Sequence, residues 1–158
     1  MNIKKSIFIL SFFFCSFGLS AQAYKSAVGV KAGDALFASY KTFLSEKLAF
    51  ELYGGPVLIS DVDLMGAAVI QLHFPIGSVE NLTWFAGGGP NFSIFNRGFG
   101  ASSNARLGIT TIGGADYKFK TLPLNVSADI APTYHFGNSA FYNFRIYGTV
   151  AARYVFGG

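Results

Sequence analysis

The sequence predicts an all-β protein, an eight-stranded antiparallel up-and-down transmembrane β-barrel that follows a cleaved signal peptide. Three observations support this prediction. Apolar and polar residues alternate with a period of two over much of the chain after residue 23, which is typical of strands with two different faces. Charged residues make up only 13% of the 158 residues, whereas aromatic residues reach 17%. The first 23 residues have the organisation of a secretory signal.

The composition excludes several other classes of protein. Disordered chains combine low hydrophobicity with high net charge, but 51% of these residues are hydrophobic. Helical bundles are rich in Ala, Glu, Lys and Leu, whereas this chain is rich in Phe, Tyr and Gly. A single cysteine excludes a disulfide framework and a multi-cysteine metal site. We expect no cofactor. After residue 23 the net charge is only +2, so we also expect no nucleic-acid partner.

Residues 1–23 are predicted to be a signal peptide and residues 24–158 the barrel. A short cationic start is followed by a 13-residue apolar core, and Ala21-Gln22-Ala23 supplies the small residues of a cleavage site. A membrane anchor would need about 20 apolar residues, so this core is too short to span a bilayer. A lipoprotein signal would use Cys15, but three phenylalanines precede it where small residues are required.

Eight amphipathic strands are predicted in the barrel region. In the last of them, every second residue from Asn143 to Arg153 is polar or small, whereas the alternate residues from Phe144 to Phe156 are apolar, small or aromatic. Gly, Pro, Asn, Asp and Ser are frequent in the intervening segments, as turns require. The predicted strands lie near residues 25–33, 35–44, 47–58, 64–74, 82–95, 105–119, 124–136 and 143–156.

A weak internal repeat places a proline eight residues after a leucine in three of the predicted strands. The prolines are Pro56, Pro90 and Pro132, and small residues precede each of them. Because proline has no N–H to donate to a neighbouring strand, we expect each one to lie at a β-bulge or near a rim of the barrel.

The position of the charged residues indicates which face meets lipid. Nine charges fall within the predicted strands, all on the face that also carries Gly, Ser, Thr and Asn, and the opposite face has none. This pattern favours a narrow polar lumen and an outer surface in contact with hydrocarbon. A soluble lipocalin-like calyx that binds a small apolar ligand, and a β-sandwich, are alternatives that would expose more charge. The nine residues are Lys31, Lys41, Glu51, Arg106, Asp116, Lys118, Asp129, Arg145 and Arg153.

Aromatic residues on the apolar face cluster near the strand ends. Trp84, Tyr154 and Phe156 are predicted to belong to an aromatic girdle at one membrane interface, together with Phe74, Tyr117 and Phe119. A second group, which is predicted to lie toward the other interface, consists of Phe92, Tyr134, Phe136 and Phe144.

Inside the barrel, two structural ion pairs are expected. Folding about the turn at residues 45–47 sets Lys41 opposite Glu51, and Asp129 lies diagonal to Arg153 across the last hairpin. Six inward bases face only three inward acids, so water or carbonyl groups must satisfy three of the bases. The remaining lumen is expected to be filled by Tyr53, Met65, Phe85, Ile112 and Tyr147.

With these features, the chain resembles the small eight-stranded outer-membrane β-barrels of the OmpX and OmpA transmembrane-domain class. The closing strand, with Tyr154 and Phe156 as alternating aromatic residues, is similar to the C-terminal signal of that class, although Gly157-Gly158 follow it. The resemblance implies residence in the bacterial outer membrane and contact with lipopolysaccharide and phospholipid. It also implies contact with the barrel assembly machinery during insertion. A surface partner is not identified.

The function expected from these observations is a structural or surface-interaction role, without catalytic residues or a metal site. Eight strands leave an interior wide enough only for side chains, which argues against a general porin. A lipid A-modifying barrel enzyme is a less favoured alternative. His73 and His135 are expected at opposite ends of the lumen, where they cannot share a metal or a catalytic triad.

Overall fold

The computed structural model describes residues 25–59, 62–95, 104–137 and 143–157. No helix in these ranges is long and apolar enough to cross a membrane. The signal peptide predicted for residues 1–23 lies outside the described residues. The strands are β1 (Ser26–Gly33), β2 (Leu36–Phe43), β3 (Leu48–Pro56), β4 (Val62–Pro75), β5 (Leu82–Phe95), β6 (Asn104–Lys118), β7 (Leu124–His135) and β8 (Phe144–Phe156).

The eight strands form one closed antiparallel barrel, so the predicted eight-stranded antiparallel barrel fold is confirmed. Each strand pairs with its neighbours in sequence, and β1 pairs with β8 from Ser26 opposite Phe156 to Gly33 opposite Thr149. When the residue pairing is followed around the barrel, strand by strand from Arg153 in β8, it returns beside Asn143. One full circuit therefore offsets the register by ten residues. Such a stagger goes with strands tilted by roughly 35–45° to the barrel axis.

The barrel has two rims. The terminal rim carries the start of β1, the end of β8 and the turns at residues 44–47, 76–81 and 119–123. The loop rim carries the opposite ends of the strands, and residues 60–61, 96–103 and 138–142, which follow some of these ends in the sequence, lie outside the described ranges. In the turn after β4, Gly77 and Asn81 have φ angles of 52° and 63°. Glycine and asparagine adopt this left-handed backbone more readily than other residues.

The strand predictions agree with the structure to within two residues at every strand end. The proline prediction is correct for Pro56, which ends β3 at the loop rim. It is wrong for Pro90 and Pro132, which lie inside β5 and β7 without a bulge. The register is the same on both sides of each, and only the pairing with the preceding strand is interrupted. A missing N–H removes one hydrogen bond but inserts no extra residue.

Side chains alternate between the lumen and the outer surface along every strand. Outward positions hold large apolar residues that are strongly exposed, for example Leu107 at 69%, Ile130 at 60% and Val150 at 62%. Inward positions hold polar, charged and small residues together with a cluster of apolar and aromatic residues, most of them almost fully buried. The outside of the barrel is therefore apolar and most of the strand charges lie inside, which is the reverse of a soluble globular domain.

Two inward glycines allow neighbouring strands to approach closely beside buried charged side chains. Gly29 pairs with Arg153, and a Cβ on Gly29 would lie 2.0 Å from the carbonyl oxygen of Ala152. Gly114 pairs with Asp129, whose own Cβ would lie 2.8 Å from the added atom. Any larger residue at these two positions would have to push the adjacent strand away.

Candidate functional site: a charged network inside the barrel

Six charged side chains meet inside the barrel, and each is at most 6% exposed. Three are acids and three are bases, so their formal charges balance. Alternation along six different strands turns all of them inward, and the small diameter of the barrel brings them together. The six residues are Lys31, Lys41, Glu51, Asp116, Asp129 and Arg153.

Glu51 lies where most of these contacts converge. Arg153 donates a hydrogen bond to its carboxylate, and the ammonium of Lys31 lies 3.7 Å away. The Ser39 hydroxyl donates to Oε1 at 2.7 Å, and the Gln71 amide donates to Oε2 at 2.6 Å. Both oxygens of Glu51 are therefore hydrogen-bonded, as a carboxylate buried away from water requires.

A second contact joins β2 to β6 across the lumen. The Lys41 ammonium donates to Asp116 Oδ2 at 2.8 Å and lies 4.6 Å from the centre of the Phe85 ring. Asn125 donates to the other oxygen of Asp116 at 2.6 Å and accepts a hydrogen bond from Arg153 at 3.2 Å. Asn125 therefore links the Asp116 contact to the Glu51 contact.

The ion pair expected between Lys41 and Glu51 is not the one that forms. The two residues do lie opposite each other in the register of β2 and β3. Their charged groups nevertheless contact partners across the lumen: Lys41 reaches Asp116, and Glu51 receives Arg153. In a narrow closed barrel, long side chains from opposite walls meet near the axis, so cross-strand register alone does not determine the partner.

The ion pair expected between Asp129 and Arg153 is also replaced. The register places Thr149 opposite Asp129, and its hydroxyl donates to that carboxylate at 2.8 Å. Arg153 lies opposite Asn125, four residues from Asp129 along β7, too far for a diagonal contact. The ammonium of Lys31, from β1, lies 3.1 Å from Asp129 instead. Closure of the barrel between β1 and β8 makes this contact possible.

Backbone and amide carbonyls accept hydrogen bonds from two of the inward bases outside the six-residue network. At the terminal rim, Lys118 donates to the carbonyl oxygens of Phe119 and Leu122, at 2.5 and 3.3 Å. Near the loop rim, Arg106 donates to the side-chain carbonyl of Asn143 at 3.4 Å. For these two residues, the expectation that carbonyl groups replace acids is met.

The two histidines are fully buried at opposite ends of the lumen, as the strand directions predict. His73 contacts the Thr83 hydroxyl at 3.0 Å and the Gln71 amide oxygen at 3.2 Å. His135 contacts the Ser93 hydroxyl at 2.8 Å. Within the described ranges, no three His, Cys, Asp or Glu side chains come together as metal ligands.

The Ser93–His135 contact could not be predicted from the sequence, because these residues lie 42 positions apart on β5 and β7. A serine hydroxyl hydrogen-bonded to an imidazole is the minimal pair of nucleophile and base. Both side chains are 0% exposed. The geometry therefore fits a buried structural hydrogen bond better than an accessible catalytic pair.

The rest of the lumen is filled by apolar and aromatic side chains. Tyr53, Met65, Phe85, Ile112 and Tyr147 are all at most 3% exposed and belong to one cluster of buried residues. The prediction that these five residues fill the interior is confirmed. Where this cluster meets the charged network, the gap bordered by Tyr53 and Tyr147 leaves no space for a water molecule.

Aromatic side chains on the outside mark both rims. Trp84, Tyr154 and Phe156 lie at the terminal rim and are 46%, 60% and 42% exposed. Phe74 stacks on Trp84, with 4.6 Å between ring centres, and the Tyr117 and Phe119 rings pack edge to face at 5.0 Å. Toward the loop rim, the exposed aromatic residues are Phe92, Tyr134, Phe136 and Phe144.

An exposed ion pair joins two turns of the terminal rim. Lys120 donates a hydrogen bond to Glu80, and both side chains are open to solvent. This hydrogen bond lowers the pKa of the Glu80 carboxyl and raises the pKa of the Lys120 ammonium. In water such a pair adds little to stability.

No protein-family model matches the sequence, and no curated protein matches it. Among solved structures, the N-terminal β-barrel domain of Pseudomonas aeruginosa OprF is similar, with a TM-score of 0.65 and 15% sequence identity. The match covers 85% of this chain and 100% of that chain. The chain therefore shares the closed β-barrel fold of the OprF domain.

Proposed function

We propose that the chain is a small integral β-barrel of the bacterial outer membrane, with a lumen filled by side chains. In this proposal its role is structural or one of surface interaction, and it is neither a general porin nor an enzyme. The observation that carries the proposal is the outer surface. Every strand presents at least one large apolar side chain that is 39–69% exposed.

Water is an unfavourable solvent for such a surface. Soluble monomers seldom expose apolar patches beyond a few hundred Å², and here the apolar surface encircles the barrel. Hydrocarbon suits this surface, and closure of the barrel leaves no unpaired strand edge in lipid. Asp63 is an exposed charged residue near the start of β4. It lies at the loop rim, where headgroups and water accommodate charge.

The filled lumen supports the second part of the proposal. A general porin requires an open aqueous channel, and eight strands leave an interior that side chains can fill. Here the charged network and the apolar cluster together occupy that interior. Lipopolysaccharide and phospholipid would then be neighbours of the barrel wall, and the barrel assembly machinery would act on the chain during insertion.

Phase partition tests the membrane assignment. The protein without residues 1–23 is expected to enter the detergent-rich phase of Triton X-114 and to float with lipid vesicles after an alkaline carbonate wash. Recovery in the aqueous phase would instead support the lipocalin-like calyx. A matched control is the Ile130→Arg variant, which places charge on the proposed lipid surface and should float less efficiently than the parent protein.

Deletion of the gene tests the proposed role. A structural or surface-interaction protein should change outer-membrane permeability to large antibiotics, or the binding of cells to surfaces, when it is lost. Complementation with a Ser93→Ala variant should restore the parent behaviour, because Ser93 serves only as a hydrogen-bond partner of His135 in this proposal. Failure of that variant with unaltered folding would contradict the non-enzymatic role.

A further inference from the structure

A cavity of about 470 Å³ lies at the terminal rim, between the turn that joins β6 to β7 and the end of β8. Lys118, Lys120 and Thr121 line it on the side of the turn, and Phe156 and Gly157 line it on the side of β8. The cavity is partly open, and both the inward-facing Val155 and the outward-facing Phe156 line it. It is separate from the six-residue charged network, none of whose members lines it.

The charges at this cavity are predominantly positive. Lys118 bonds two carbonyl oxygens, and no carboxylate within the described ranges lies within ion-pair distance of it. An ammonium has three N–H donors, so one donor of Lys118 is left after these two bonds. Lys120 has one acidic contact, Glu80, in an exposed pair that is readily exchanged for another anion.

The cavity adjoins the aromatic residues of the terminal rim. Phe156 belongs to both, and Tyr117 and Phe119 flank Lys118 in the chain with their rings packed together. Aromatic girdles of membrane barrels lie at the level of the lipid headgroups. A molecule bound at the two lysines could therefore place apolar chains along the outer surface below Tyr154 and Phe156, which are strongly exposed.

We propose that this cavity binds the phosphate headgroup of an anionic phospholipid, with Lys118 and Lys120 as its ligands and the adjoining aromatic surface in contact with its acyl chains. This inference rests on the proposed function, because it requires the barrel to lie in a bilayer with the girdle at the headgroups. Ammonium groups bind phosphate through charge-assisted hydrogen bonds. A lysine near an anionic membrane surface changes binding by about five-fold.

Native mass spectrometry of the reconstituted protein tests the proposal. The protein without residues 1–23 is inserted into vesicles of equimolar phosphatidylglycerol and phosphatidylcholine, then extracted, and the ratio of the two lipids that stay bound is measured. We expect phosphatidylglycerol to be enriched over the vesicle composition. Lys118→Gln and Lys120→Gln should each lower the enrichment about five-fold. Lys118→Arg, which keeps the charge, should retain most of it.

The matched control is Lys47→Gln, which removes the same charge from the same rim on the opposite side of the barrel, in the turn after β2. An equal loss of enrichment in Lys47→Gln would show a general charge effect and overturn the site. Heat-modifiable migration on gels verifies that each variant is folded. If Lys118→Gln does not fold, Lys120→Gln carries the test, because Lys120 lies in an exposed turn.

Two further outcomes distinguish a failure of the headgroup site from a failure of the membrane assignment. If the protein inserts fully but binds both lipids in proportion to their abundance, the headgroup site is wrong and the membrane assignment stands. If it does not insert, both are wrong. Glycerol 3-phosphate at millimolar concentration should not displace the bound lipid. Displacement by this soluble phosphate would show that the cavity binds a free anion rather than a lipid.

Discussion

Glu51 is the residue on which the buried charges of the lumen depend most. Arg153 and Lys31 contact its carboxylate, and Ser39 and Gln71 donate the remaining hydrogen bonds. All of these groups lie in an interior with little access to water. Without the Glu51 carboxylate, the positive charges of Arg153 and Lys31 would lie near each other without the anion that now lies between them. Removing one partner of a buried ion pair destabilises a protein far more than removing one partner of a surface pair.

The replacement Glu51→Gln should lower the stability of the barrel by about 3–5 kcal/mol. It keeps the volume of the side chain and removes only the charge, so a change in packing does not explain the result. The midpoint temperature of the heat-modifiable transition on gels measures the effect. Glu46→Gln is the control, because Glu46 lies in the exposed turn after β2. Equal shifts for the two variants would contradict the central role of Glu51.

The inward position of the network residues could be predicted from the sequence, but which inward charges form the network, and how they pair, could not. Period-two alternation alone placed Lys41, Glu51, Asp129 and Arg153 on one face. Which of them touch depends on the ten-residue stagger and on closure between β1 and β8. The Arg153 contact with Glu51 joins residues that are 102 positions apart, on strands that are not neighbours. No local sequence pattern predicts such a contact.

The exposed pair between Glu80 and Lys120 gives a prediction that can be read directly by titration. The hydrogen bond from Lys120 lowers the pKa of Glu80, so Lys120→Gln should raise that pKa toward its ordinary value. Carboxyl carbon shifts in NMR, followed from pH 2 to pH 7, measure it. The Lys47→Gln variant should leave the Glu80 titration unchanged. A Glu80 midpoint that does not rise in Lys120→Gln would show that the pair does not form in solution.

At the scale of the strands, the alternation of side chains gives each strand a mainly polar face toward the lumen and an apolar face on the outer surface. Ile130 in β7 is 60% exposed on the outer face and lies in the middle of its strand. Ile130→Arg should destabilise the barrel in lipid by about 2–4 kcal/mol, because a charge at the bilayer midplane loses its hydration. Urea unfolding in phospholipid vesicles measures this loss.

The control for this substitution is Leu44→Arg. Leu44 is 61% exposed as well, but it lies in a turn at the terminal rim, where an arginine costs only about 0–1 kcal/mol. A similar cost at both positions would mean that depth in a membrane does not matter, and hence that this surface faces water.

The strands were predictable because a two-faced environment repeats with every second residue. Alternation locates all eight of them, and turn residues locate their ends. The positions of the prolines could not be predicted in the same way. Pro90 and Pro132 sit inside strands because each interrupts the pairing with only one neighbour, while Ile109 and Ile146 pair with them on the other side. The sequence alone does not indicate which of the two neighbouring strands loses the hydrogen bond from the missing proline N–H.

At the scale of the molecule, closure removes every strand edge. The pairing of β1 with β8 leaves no row of free N–H and C=O groups for detergent to attack. The protein should therefore keep its fold in SDS until it is heated, and unboiled and boiled samples should migrate differently. Deletion of residues 144–158 removes β8 and exposes edges on β1 and β7. The truncated protein should migrate identically with and without boiling, and heat-modifiable migration of that protein would argue against closure as the cause.

The filled lumen also determines what the closed barrel can conduct. Tyr53 and Tyr147 are buried beside the charged network, and the gap they border has no space for water, so ions have no hydrated path there. In planar bilayers the protein should show no steady conductance of porin size. Replacing both tyrosines with alanine removes two large side chains from this constriction and should create measurable conductance, provided that heat-modifiable migration verifies folding. Ile130→Ala, an outward truncation on the same part of the barrel, should leave the membrane as tight as the parent does. A large conductance in the parent, or equal currents from the lumen and surface variants, would show that the side chains do not close the barrel.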